Sequence, residues 1–261
     1  MRTVFAAILL LLNTAAFSQP AFDYKRDFKP FMEQSQDRQS PLYYQKLLVR
    51  FLDRDTTLSN METLTMMIGY TEDSHYKPFE DMEPEKEVFD LNEEGQYDEA
   101  ITKAKKYLQT HPLSLRVNKE ASYAYHQKQM QDSADYFMDL VDKLMNAMIY
   151  SGTGKKPEQP IFSLGLADGE YFIPNIGLKI LDKNTDWNAN NHFMEIIKAS
   201  KSGDDEIMYF FVIEHAKQKI DDDKVNESEG KKKKKKEDKK KKDKKGGFNK
   251  VEAPAPGAKT E

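Results

Sequence analysis

Apolar residues recur at three- and four-residue intervals from Tyr43 to Met148, and this spacing limits the first half of the chain to packed amphipathic helices. Tyr43, Leu47 and Phe51 form one row and Tyr44, Leu48 and Leu52 the row beside it, so residues 41–53 read as a helix with a wide buried face. Ser40-Pro41 has the chemistry of its start, a capping hydroxyl followed by a first-turn proline. Ser59 and Glu62 have capping-box spacing, which predicts a helix to about Ile68 with Gly69 as a left-handed stop. Residues 70–82 read as a loop whose Tyr70, Tyr76 and Phe79 pack against the body. Pro84 opens the next helix, which Gly95 breaks, and residues 97–111, 115–127 and 131–150 follow as helices. Tyr24, Phe28 and Phe31 mark one more before them.

Beyond Lys155 the pattern changes. Residues 160–164 read as a short strand, and Asp168 as the cap of a short helix through Ile176. Residues 182–191, rich in Asn and Asp around the single Trp187, read as a loop. Residues 192–199 and 207–215 read as strands, joined by a hairpin turn at 202–205. The expected fold is α+β: mainly helical, with antiparallel helix pairs and a small antiparallel sheet near the end of the body. A signal peptide is expected at 1–18 and one α+β domain at 19–220, with a helical half at 24–150 and a small α/β unit at 158–217. A disordered Lys-rich tail is expected at 221–261.

The leader expectation rests on Arg2, the apolar stretch Val4 to Leu12, and small residues at Ala16 and Ser18. Cleavage after Ser18 would leave Gln19 first, and the chain is expected to be exported, to the periplasm or the cell exterior. There is no cysteine, which excludes disulfides, thiolate catalysis and Cys-bound zinc. The one apolar run is too short to span a bilayer, so no transmembrane segment is expected in the mature chain. The net charge of −4 conceals a division: residues 19–230 hold 25 basic and 39 acidic residues, whereas residues 231–250 hold 13 Lys against 3 acids.

Two resemblances follow from ordered residues. Gly95, Ala100, Ala104 and Pro112 stand where a tetratricopeptide repeat places its inter-helix turn, its close helix contacts and its stop, and Ala100 to Ala134 is the 34-residue period of that repeat. The second unit, residues 115–138, is degenerate, with Gln129-Met130-Gln131 at its turn. The body as a whole resembles the exported bacterial family "domain of unknown function 4919". The residues that carry this are Tyr43-Tyr44 with Leu47-Leu48, Gly69-Tyr70, Tyr76 with Pro78-Phe79, Ser151-Gly152-Thr153-Gly154-Lys155 with Pro157-Glu158, Asp168 with Glu170-Tyr171, and Gly177-Leu178. The resemblance implies a helical half and a small sheet, and it brings no catalytic residues.

No catalytic, cofactor or metal set emerges from the motifs. The five His are not paired at metal-ligand spacing. Asp168 and Glu170 read first as helix-start chemistry. Tyr97, Tyr123 and Tyr125 are candidates for the partner-facing side of the helix pair, together with Asp168, Glu170, Tyr171 and Trp187. The expected function is therefore a non-enzymatic module that binds an envelope protein or peptide. The alternative is an enzyme or carbohydrate-binding protein with a site around Asp168, Glu170, Tyr171 and Trp187. Lys231, Lys232, Lys233, Lys234, Lys235, Lys236, Lys239, Lys240, Lys241 and Lys242 form a basic block suited to anionic lipid or polysaccharide. The block carries no Arg forks, so sequence-specific nucleic-acid recognition is not expected.

Overall fold

The computed structural model describes residues 22–201 and 205–226. Seven helices come first: α1 (Tyr24–Gln36), α2 (Tyr44–Leu52), α3 (Asn60–Tyr70), α4 (Met82–Glu93), α5 (Tyr97–Leu108), α6 (Leu115–Gln127) and α7 (Gln131–Ser151). A mixed α/β part follows: β1 (Ile161–Phe162), α8 (Asp168–Asn175), β2 (Lys179–Trp187), β3 (Phe193–Ser200), β4 (Glu206–Val212) and a last helix, α9, over residues 214–226. The fold is α+β and mainly helical. The strand order is β1-β4-β3-β2. Both β2–β3 and β3–β4 are antiparallel, but β1 runs parallel to β4, so the expected antiparallel sheet is a mixed one. α9 continues past residue 220, and the Lys block and the hairpin turn at 202–204 lie outside the described residues.

Two apolar cores hold these elements. The larger joins α1, α2, α3 and α7 to the sheet and α8, through fully buried residues such as Leu47, Phe51, Leu144, Phe162 and Phe211. The smaller is a seam of Val88, Ala100, Ala104, Val117, Ala121 and Ala124 between α4, α5 and α6. Small side chains let these helix backbones approach, which is compatible with the repeat-like spacing. Gly95, at φ +73, makes the turn between α4 and α5. Phe137 on α7 packs against both cores.

Several expected boundaries shift for local reasons. Ser40 does not cap α2: its hydroxyl accepts from the Leu42 amide (3.0 Å) in a turn, and the helix begins at Tyr44. The capping box forms as expected, with the Ser59 amide donating to Glu62 Oε2 at 2.8 Å. α3 does not stop at Gly69 but passes through it to Tyr70, because Gly69 lies against Ser35 of α1, where a Cβ would come within 2.7 Å. In the loop after it, Tyr76 is buried and donates to the Leu164 carbonyl (2.8 Å), whereas Phe79 is 66% exposed. Asp168 is not a cap. It is the first residue of α8, and its Oδ2 turns back to accept from the Gly165 amide at 2.7 Å.

The largest correction is β2, where residues 182–187 had read as loop. β2 is polar because it is an edge strand, exposed along most of its length, and its order comes from eight register partners on β3. Its outer edge pairs with no other strand among the described residues, and its register slips between Ile180 and Asp182.

Candidate functional site

Side chains alternate across β3, so Phe193, Glu195, Ile197 and Ala199 share one face of the sheet. Register places Thr185 of β2 and Phe211 of β4 beside Glu195, and Trp187 beside Phe193. α8 covers part of this face. It comes close because Gly169 has no side chain: a Cβ there would fall 2.4 Å from Glu195 Oε2 and 2.8 Å from Ile197. Beyond α8 the face opens into a cleft of about 420 Å³. Its floor is Thr185, Phe193 and Glu195, its walls are Leu166 and Glu170 on one side and Ile213, Lys217 and Ile220 on the other, and Phe79 and Met82 form an apolar lip. Lys77 holds the lip to α9 by an ion pair with Asp223 (2.9 Å). Exposed large apolar residues at a cleft mouth are the usual mark of a contact surface.

Glu195 is the unusual group. It is 3% exposed, and its Oε2 has no hydrogen-bond partner. Burial, reinforced by Glu170 and Asp168, pushes its carboxyl up to about 8, while Lys183 and the Gly169 amide pull the other way. The carboxyl is therefore mostly protonated at neutral pH. The other charges at the cleft are matched: Lys183 pairs with Glu170 and Lys217 with Asp221.

A second group of acids lies behind α8, around a cavity of about 30 Å³ lined by Asp81, Glu85, His111, Ser114 and Asp168. Glu85 accepts from the Ser114 hydroxyl (2.6 Å), and burial pushes its carboxyl up to about 7. His111 faces Asp81 at 3.2 Å and stacks on Tyr107, with ring centroids 4.1 Å apart. Burial raises Asp168, against its bonds from Gly165, Leu164 and Ser163. His215, enclosed by Phe28, Phe162 and Tyr76, is driven down to about 3 by burial and stays neutral.

The seven candidate residues of the body do not meet in one place. Glu170 lines the cleft, and Trp187, 47% exposed, rests on Phe193 of its floor with ring centroids 5.2 Å apart. Asp168 lines the small cavity instead. Tyr171 lies under the Arg116 guanidinium of α6, 4.9 Å from the ring centroid. Tyr97 and Tyr123 meet edge to face at 6.1 Å across α5 and α6, whereas Tyr125 is buried and stacks on Phe137. Sequence reasoning missed Glu195, Glu85 and Lys183. The available signal was an acid at an inward position of an otherwise apolar alternation, Phe193-x-Glu195-x-Ile197.

No helix among the described residues is long and apolar enough to cross a membrane. Neither the curated proteins nor the solved structures hold a match to this chain. The family model described as "Domain of unknown function (DUF4919)" matches residues 30–222, a span that takes in the helical half, the sheet and both walls of the cleft, and the chain belongs to that family.

Proposed function

We propose that this protein is an exported, non-enzymatic binding module of the cell envelope, and that the cleft over Glu195 holds a segment of a protein or peptide partner. The observation that carries the reading is an open, apolar-lipped cleft between α8 and α9 with the buried Glu195 among its lining residues. The acids near it are engaged within the protein, Asp168 by the Gly165 amide and Glu170 by Lys183. Export follows from the leader pattern, and the Lys block is the part suited to anionic envelope surfaces.

The sole tryptophan, packed on Phe193 of the cleft floor, is a built-in reporter. The mature chain is titrated with a set of envelope-derived peptides and glycans while Trp187 emission and Tm are followed. Binding that raises Tm, moves Trp187 emission and is lost in Thr185→Arg, which fills the cleft, supports the reading. A set in which nothing does so overturns it. A glycan-binding or hydrolytic role is favoured by one observation, the raised Glu195 carboxyl beside Glu170, and predicts turnover that both Glu170→Gln and Glu195→Gln abolish.

A further inference from the structure

We propose that a separate polar cleft, between the first turns of α1 and α9, binds a sugar that carries a carboxylate. The cleft holds about 320 Å³, at the small end of the roughly 300–1,000 Å³ of small-molecule pockets, and shares no lining residue with the cleft over Glu195. Its central group is His192, at the end of the loop between β2 and β3. His192 Nδ1 lies 2.6 Å from Glu214 Oε2, and the other Glu214 oxygen accepts from the Gln218 amide one turn on (3.1 Å). The Tyr24 ring stands edge-on to the imidazole, with centroids 5.3 Å apart. A carboxylate only accepts, so the neutral ring keeps its proton on Nδ1. Nε2, with no partner among the described residues, is left as an acceptor. The loop beside it is set in advance: Asn188 Oδ1 accepts from the amides of Asn190 (2.9 Å) and His192 (2.8 Å), and its Nδ2 donates to the Pro157 carbonyl (3.0 Å). The carboxamides of Asn190 and Asn191 border the cleft without an internal partner among the described residues.

Each part of the cleft selects. An acceptor imidazole and free carboxamides are matched by hydroxyls, which both donate and accept. An apolar ligand would leave them unpaired, and a fully ionised phosphate has no hydrogen for Nε2. Phe28, half-buried, adds an apolar wall suited to the C–H face of a pyranose. The sign of the ligand's charge follows from the rim. Glu214, the one acid in the lining, has both oxygens engaged, whereas two ammoniums one turn apart on α1 border the cleft. Lys29 reaches only Glu33, at 3.8 Å, and Lys25 no acid among the described residues, so the rim attracts an anion.

The probes are methyl glucuronide, its uncharged counterpart methyl glucoside, and acetate. Each is titrated into the mature chain while the His192 ring protons are followed by NMR, and His192→Gln identifies their signal by its loss. Methyl glucuronide is expected to move that signal and to bind about tenfold more tightly than methyl glucoside, the worth of one charge-assisted hydrogen bond. Lys25→Gln combined with Lys29→Gln, two exposed changes that leave Tm in place, is expected to remove the preference. A His192 signal that stays still, equal binding of the two sugars, or a preference that survives the loss of both lysines overturns the proposal. So does acetate that binds as tightly as methyl glucuronide, since the cleft would then read charge alone. None of these outcomes bears on the Glu195 cleft, which is lined by other residues.

Discussion

The buried Glu195 makes the stability of the domain depend on pH in a direction opposite to ordinary surface carboxylates. Its usual value is 4.5, and in the folded protein it is pushed up to about 8. The folded state therefore keeps a proton that the unfolded chain has released. The contribution is complete below about pH 4.5 and is lost as the pH rises to about 8. Each pH unit in that window removes about 1.4 kcal/mol, so the limit between pH 5 and pH 8 is about 4 kcal/mol. Water entering the cleft brings the observable loss to about 2 kcal/mol. Urea unfolding at pH 5, 6, 7 and 8 measures it. Glu195→Gln copies the neutral carboxyl in shape, so the variant matches the wild type at pH 5 and exceeds it by about 2 kcal/mol at pH 8. Glu85, pushed up to about 7, adds a loss of the same sign that ends one unit lower, and Glu85→Gln separates the two. Parallel pH curves for wild type and Glu195→Gln would refute the reasoning, since they would mean that the carboxyl is as well solvated folded as unfolded.

Four other outcomes follow from the packing and the caps. His215, driven down to about 3 from its usual 6.5, supports the fold above pH 6.5 and loses that support as the pH falls toward 3, so His215→Phe flattens the acid side of the Tm profile. Ala104→Leu places a large side chain in the fully buried seam between α4, α5 and α6 and lowers stability by about 1–3 kcal/mol in urea unfolding. Ser59→Ala removes one half of the capping box of α3 and costs about 1 kcal/mol by the same assay. Gly69→Ala drives a methyl into Ser35 and lowers Tm, and the double variant with Ser35→Gly recovers part of the loss; no recovery would show that the two helices are not held by that contact.

The helical half was legible because its signals are local. The three- and four-residue spacing located α5, α6 and α7, and the Ser59–Glu62 box fixed the start of α3. The misreadings share a cause: a tertiary neighbour overrides the local cue. Gly69 resembles a stop, yet it exists to admit Ser35 from 34 residues earlier. β2 has the composition of a loop, and its strand geometry is imposed by β3. The parallel pairing of β1 with β4 joins Ile161 to Phe211, with α8, β2 and β3 between them in the chain. The cleft was illegible for the same reason. Its lining comes from residues 79–82, 166–170, 183–185, 193–195 and 213–220, none of which carries a binding or catalytic motif. Glu170 and Trp187 were noticed as isolated residues, while Glu195 looked like one acid in a hydrophobic strand.

The flank of β2 that pairs with no strand among the described residues carries a hazard that the strand itself restrains. A nine-residue ribbon edge offers a template on which a second molecule can continue the sheet, and crowding raises the chance that two such flanks meet. Lys179, Asp182, Lys183 and Asp186 surround that flank with charge, and the slip at Ile180–Asp182 spoils the straight run that stacking needs. The polarity that hid the strand from the sequence is thus of the kind that disfavours pairing between two such edges. Exchanging those four residues for threonine removes the charge and leaves the slip as the remaining guard, so light scattering at rising concentration is expected to show more association than in the wild type.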